Sequence, residues 1–113
     1  DIDDYSNSRN GTTTISLNRV YDAVSDYVGD HDLFRFVLPR ATTIRAGTRG
    51  RADMYCYLWT PKGASAFAKD DDSGDGTNCL IAQRLSAGVY YLQVRRVGRG
   101  SSPERYQVVV SGL

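Results

Sequence analysis

The chain predicts an all-β fold, an antiparallel β-sandwich of eight to nine short strands. Three observations carry this. Apolar and polar residues alternate with period two through much of the 113-residue sequence, the signature of half-buried strands. Turn-forming Gly, Pro, Asn and Asp interrupt the alternation at roughly the 8–12-residue spacing expected of a sandwich. No stretch of useful length shows a helical period.

In chain order, residues 1–11 (DIDDYSNSRNG) are polar and turn-prone, and read as an N-terminal arm or linker. Residues 12–113 then form a single domain, long enough for one hydrophobic core. Thr12–Leu17 and Arg19–Val24 are the first strand candidates, with a tight turn near Asn18 and Arg19. His31–Pro39 follows, with Phe34, Phe36 and Leu38 on one face and Leu33, Arg35 and Val37 on the other. Pro39 ends that strand, and Thr42–Ala46 is the next. Gly47 to Arg51 reads as a basic, glycine-containing loop. Met54–Thr60 is the most aromatic segment; Pro61, Lys62 and Gly63 mark a turn, and Ala64–Lys69 returns. After an acidic loop come Asn78–Leu85, then Ala87–Val97, then Arg105–Ser111 with Tyr106, Val108 and Val110 facing inward.

The formal net charge is +1, so overall charge selects no partner. Its distribution is uneven. Seven acids lie in residues 1–32 and four in 70–75, whereas ten of the twelve arginines lie in 35–51 and 84–105. Separate acidic and basic surface regions are expected. No apolar run is long enough to span a membrane, and no signal-peptide pattern is present. The chain begins at Asp1 without a methionine, which reads as a module excised from something longer.

The acidic loop is the strongest chemical feature. Asp70, Asp71, Asp72 and Asp75 crowd together with Gly74 and Gly76, and Asn78 closes the run. Adjacent carboxylates repel unless a cation, backbone N–H groups or water screens them, and Ca²⁺ takes six to eight oxygens from such loops. Asp71, Ser73, Asp75 and Gly76 match EF-hand loop positions 1, 3, 5 and 6, but position 12 is Ala82, so a true EF-hand is excluded. The loop is therefore either a calcium loop of another kind or a solvated hairpin turn. A second candidate set joins Asp30 and Asp32 to Asp3 and Asp4 of the arm.

Other constellations are weaker. His31 is the one histidine, which leaves a serine or cysteine nucleophile with little choice of base and makes a zinc site improbable on ligand type. Paired carboxylates for glycoside cleavage match too easily in so acidic a sequence to mean anything. Catalysis is not expected. The Arg/Gly segments RAGTRGR and RRVGRGSS hint at nucleic acid, but the balanced charge argues against it. Cys56 and Cys79 permit one intramolecular pairing. By parity each shares a face with core residues, Met54 and Leu58 for Cys56 and Ile81 and Leu85 for Cys79. They are either a disulfide between neighbouring strands or two buried thiols.

The same parity turns Tyr55, Tyr57 and Trp59 outward, together with Tyr91, Gln93 and Arg95 on the later strand and Arg35 on the earlier one. Aromatics at i, i+2 and i+4 on a solvent face form a flat, exposed platform suited to stacking on sugars or packing against an extended protein.

Four collinear stretches, DDYSNS, GDHDLFRFVLP, ADMYCYLWTPKGASAFAKDDDSGDGTN and AGVYYLQVRRVG followed by ERYQVVVSG, resemble the bacterial pre-peptidase C-terminal domains and cover nearly the whole chain. These are accessory modules of secreted proteases and other exoenzymes, and the collagen-binding domains of clostridial collagenases look like relatives. The resemblance implies a jelly-roll-like sandwich, no catalysis, a secreted setting and frequently bound calcium, with a tyrosine strip on one sheet contacting the ligand. Two departures stand out. The arm offers Asp1, Asp3 and Asp4 but none of the glutamates of the collagenase arm, and Cys79 stands where serine is expected, implying a family-atypical disulfide with Cys56. The expected protein is a monomeric, non-catalytic, calcium-stabilised module of a secreted enzyme. Its partner would be an extracellular polymer, collagen-like protein or polysaccharide, held by Tyr55, Tyr57, Trp59, Tyr91, Arg35 and Arg95. The alternative is a structural or processing segment that assists the parent catalytic domain and has no external ligand.

Overall fold

Period-two burial runs through the long strands of the computed structural model, which describes residues 13–25, 31–51, 53–61, 68–70, 78–97 and 103–112. Among the described residues there are nine strands and no helix: β1 (Thr13–Thr14), β2 (Val20–Ser25), β3 (His31–Leu38), β4 (Thr42–Gly50), β5 (Met54–Trp59), β6 (Ala68–Asp70), β7 (Leu80–Leu85), β8 (Gly88–Arg96) and β9 (Glu104–Gly112). They form a five-stranded sheet of order β1-β3-β8-β5-β6 and a four-stranded sheet of order β2-β9-β4-β7. The predicted β-sandwich is what the chain forms.

Between the sheets, alternate residues of each long strand are shut away from water. Phe34, Phe36 and Leu38 of β3, Met54, Cys56 and Leu58 of β5 and Leu92 and Val94 of β8 meet Ile44 and Ala46 of β4, Ile81 of β7 and Tyr106, Val108 and Val110 of β9. Burial of a side chain of this size contributes roughly 1.5–3 kcal/mol, which is why the alternation is so regular. Tyr90 stacks on Phe36 at 5.8 Å and ties its hydroxyl to the Ser86 carbonyl.

Three local expectations change. The run 12–17 yields only the two residues of β1, and these pair parallel to β3 (Thr13↔Phe34, Thr14↔Arg35), unlike the antiparallel remainder. The chain then turns at Asn18, whose φ is 64°. Its backbone N–H donates to Val110 and its side-chain oxygen accepts from Gly112, so the turn is pinned to β9. Asn tolerates this left-handed conformation better than most residues. Beside it the Tyr21 hydroxyl accepts the Ser16 N–H at 2.8 Å, and that bond pulls the phenol below its ordinary range.

The second correction concerns Gly47 to Arg51, expected as a loop. Residues 47–50 instead extend β4, which is hydrogen-bonded to β9 on one side and β7 on the other. Glycine here serves close approach rather than a turn, since a Cβ at Gly47 would run into the Cys79 carbonyl oxygen.

The third concerns the cysteines. Cys56 and Cys79 are disulfide-bonded with Cα atoms 5.7 Å apart, within the normal span. The bond does not join neighbouring strands of one sheet. It crosses the core from β5 to the residue preceding β7, and so staples the two sheets together.

Candidate functional site

The outward faces of β3, β8, β5 and β6 form one continuous surface whose rows are set by register. Trp59 lies opposite Tyr91, which lies opposite Arg35. The next row is Lys69, Tyr57, Gln93 and Leu33, and the one after it places Tyr55 opposite Arg95. Partners in a row are about 4.5–5.5 Å apart at Cβ, so the rings and cationic groups are immediate neighbours.

Met54, Cys56 and Leu58 are completely buried, while Tyr55, Tyr57 and Trp59 between them are half-buried. The parity read from the sequence is therefore the parity of the structure. The expected full exposure is not. Tyr55 and Tyr57 stack on each other with centroids 4.8 Å apart and planes 19° apart. The Trp59 indole donates a 2.8 Å hydrogen bond to the Gln93 amide oxygen. Tyr91, though outward by register, is only 9% exposed, because it sits on a central strand with Arg35 on one side and Trp59 on the other. Arg35 donates to Thr14 at 3.1 Å, and Arg95 is exposed. The rings are thus held in fixed positions, an arrangement that loses little conformational freedom on contact with a ligand.

Gln93 and Lys69 complete this face, with Leu33, only 7% exposed, at its β3 side; Lys69 and Leu33 were not singled out from sequence. The signal for Leu33 was present in its parity with Arg35. Lys69 needed the pairing of β6 with β5, which no sequence pattern supplies.

The acidic candidates divide. Asp3, Asp4, Asp30, Asp71, Asp72 and Asp75 lie outside the described residues. The other three are described, and each is used structurally. Asp32 is 2% exposed, faces the core, and accepts a 2.6 Å bond from the Tyr106 hydroxyl. Asp70 accepts the Leu80 N–H at 2.9 Å, clamping the base of the acidic loop. Asn78 is buried, its oxygen meeting the Thr48 hydroxyl and its amide donating to the Gly50 carbonyl.

Register also separates the two acidic sets. Asp32, Val94, Cys56 and Asp70 form one row across the five-stranded sheet, which puts Asp32 and Asp70 three strand spacings apart, about 14 Å. They do not share a coordination sphere. Among the described residues no three His, Cys, Asp or Glu side chains converge as a metal cluster. Asp70 and Asn78 fit a calcium loop as its anchors, leaving Asp71, Asp72 and Asp75 to supply the bulk of any ligand set.

Comparison with known proteins bears on the fold. No protein-family model and no curated protein matches the sequence. Among solved structures, the pre-peptidase C-terminal domain of a collagenase from Bacillus anthracis is similar with a TM-score of 0.69 and 18% identity, over 88% of this chain and 93% of that one. PliG from Aeromonas hydrophila, a periplasmic inhibitor of g-type lysozyme, is similar with a TM-score of 0.65 and 15% identity, over 89% of this chain and 95% of that one. The Salmonella Typhimurium PliG gives a TM-score of 0.57 at 14% identity, over 89% and 97%. The chain therefore carries the β-sandwich fold of the collagenase pre-peptidase C-terminal domain, the fold its sequence resemblance implied.

Proposed function

We propose that this chain is a non-catalytic binding module of an exported bacterial enzyme, and that the outer face of β5 and β8 is its docking surface for an extended extracellular polymer. The observation that carries this reading is the row geometry: Tyr55, Tyr57 and Trp59 at alternate positions of one strand, backed by Tyr91 and Gln93 and bordered by Arg35 and Arg95. A flat array of immobilised rings stacks on sugar faces or packs on an extended peptide, and the arginines add polar contacts at its border. The fold likeness to a collagenase accessory domain supports a role beside a hydrolase, and the disulfide supports an oxidising, extracytoplasmic setting. Calcium, held by the 70–78 loop, belongs to this reading as a stabiliser that would bind the folded state and supply no chemistry.

The test is retention of the isolated module on collagen, chitin and cellulose, with Tyr57→Ala and Trp59→Ala as comparisons. Retention by the wild type and its loss in folded variants supports the reading. No retention on any polymer leaves the processing-segment role as the better account. The same fold serves a lysozyme inhibitor, so inhibition of a g-type lysozyme is a useful parallel assay.

A further inference from the structure

The opposite side of the sandwich has a different chemistry. On the outward face of the four-stranded sheet lie Arg84 of β7, Arg45 and Arg49 of β4 and Arg105 of β9, all exposed. Register places them in a line. Arg84 is opposite Thr43, two positions before Arg45, and Arg49 is opposite Gln107, two positions after Arg105 on the neighbouring strand. With about 3.3 Å per residue and about 4.8 Å per strand, the Cα steps are roughly 8, 13 and 8 Å, and the line spans roughly 28 Å diagonally across the sheet.

From Arg45 to Arg105 a series of depressions follows this line, with Arg84 beyond its end. A depression of about 270 Å³ has Arg45, Thr43, Ala82 and Ser111 among its walls. The next, of about 600 Å³, runs from Arg45 to Arg49 over a floor that includes Gly47 and Val109. A third, of about 510 Å³, runs from Arg49 to Arg105 beside Gln107, with Asp22 on its β2 wall. Each adjoining pair shares an arginine. Among the described residues no acid pairs with any of the four guanidinium groups. Arg84 donates a long bond to Thr43, and Asp22, on the edge strand β2, is held by Gln107.

We infer that this line of depressions is a second binding face, for a linear carboxylated polysaccharide of the polyuronate type. Guanidinium forks match carboxylates bidentately. The spacing of one fork per roughly 9 Å suits a chain carrying a single charge per sugar better than a densely sulfated one. Between the arginines lie Thr43, Gln107 and Ser111, neutral groups able to bond sugar hydroxyls, beside the small exposed side chain of Ala82. The aromatic residue bordering the third depression, Tyr106, is 2% exposed, so the bases of single-stranded nucleic acid would find little to stack on.

The inference is independent of the aromatic face, and its test separates the two. Polygalacturonate in an affinity gel is expected to retard the wild-type module, neutral dextran is not, and added salt should abolish the effect. Arg45→Gln combined with Arg49→Gln should weaken binding about tenfold or more with an unchanged melting midpoint. Arg84→Gln with Arg105→Gln serves as the second pair should the first alter folding. Arg40→Gln, at the exposed turn after β3 and outside both faces, should leave retardation intact. No retardation of the wild type, equal loss from Arg40→Gln, or stronger binding to heparin or DNA than to polygalacturonate would each overturn the inference.

Discussion

The Tyr106 hydroxyl donates a 2.6 Å hydrogen bond to the Asp32 carboxylate across the core, joining β9 of one sheet to β3 of the other with both residues 2% exposed. A short bond of this kind between two buried groups is strong in the low-dielectric core, and a buried acceptor deprived of its donor is costly. At the same end of the sandwich, buried Arg96 reaches the Ser25 carbonyl at 3.4 Å and Glu104 at 4.0 Å. The sheets are therefore tied by polar contacts as well as by apolar packing.

Tyr106→Phe keeps the ring and removes the donor, and should destabilise the fold by about 2–3 kcal/mol. Asp32→Asn still offers an acceptor and should cost less. Denaturant melts of the two variants check the order; an Asn variant weaker than the Phe variant would contradict this account of the bond.

Reduction of the Cys56–Cys79 bond should lower stability by about 3 kcal/mol, the loop-closure contribution expected for a separation of 23 residues. Melting with and without a reductant measures it. The double variant Cys56→Ser, Cys79→Ser should reproduce the reduced protein's midpoint, and insensitivity of the wild type to reductant would show the staple to be energetically idle.

On the aromatic face the two test substitutions should differ. Trp59→Ala discards a half-buried ring and its bond to Gln93, and should cost stability of about 1–2 kcal/mol. Tyr57→Ala loses stacking on Tyr55 and should cost less. For polymer retention each should weaken binding by about thirtyfold, the effect of losing an aromatic anchor worth about 2 kcal/mol. Melting curves and retention measured on the same preparations keep the two effects apart.

If the 70–78 loop holds calcium, the ion stabilises the folded state by mass action, by about 2.7 kcal/mol at a free concentration of 100 times Kd. The midpoint should then rise in calcium and fall in EDTA, and Asp72→Asn with Asp75→Asn should abolish the difference. Asp3→Asn with Asp4→Asn should leave it unchanged. Coincident melts in calcium and EDTA would remove calcium from the proposed function.

Alternation made most of the sandwich legible. It fixed which side of β5 is core, because Met54, Cys56 and Leu58 leave no ambiguity, and it placed both cysteines inside. It was blind to sheet partnership, since period two says which way a side chain points but not which strand lies alongside. That is why the disulfide was expected between neighbours and instead spans the sheets. Gly47 and Gly50 were read as loop because glycine has no side chain to enter the pattern, and with them the alignment of Arg45 and Arg49 on one strand face was lost. The burial of Asp32 is hidden from the sequence for a related reason: its parity with Phe34 points inward, but a carboxylate is accepted there because Tyr106, distant in sequence, arrives to bond it.

The link between Cys56 and Cys79 also duplicates the connection from β5 to β7. A protease that cuts once anywhere from residue 57 to 78 therefore releases nothing: both pieces remain one covalent molecule, and the scission becomes visible only after reduction. A nick in this acidic stretch would therefore be survivable damage. Paired reducing and non-reducing gels of partially digested protein would display it directly.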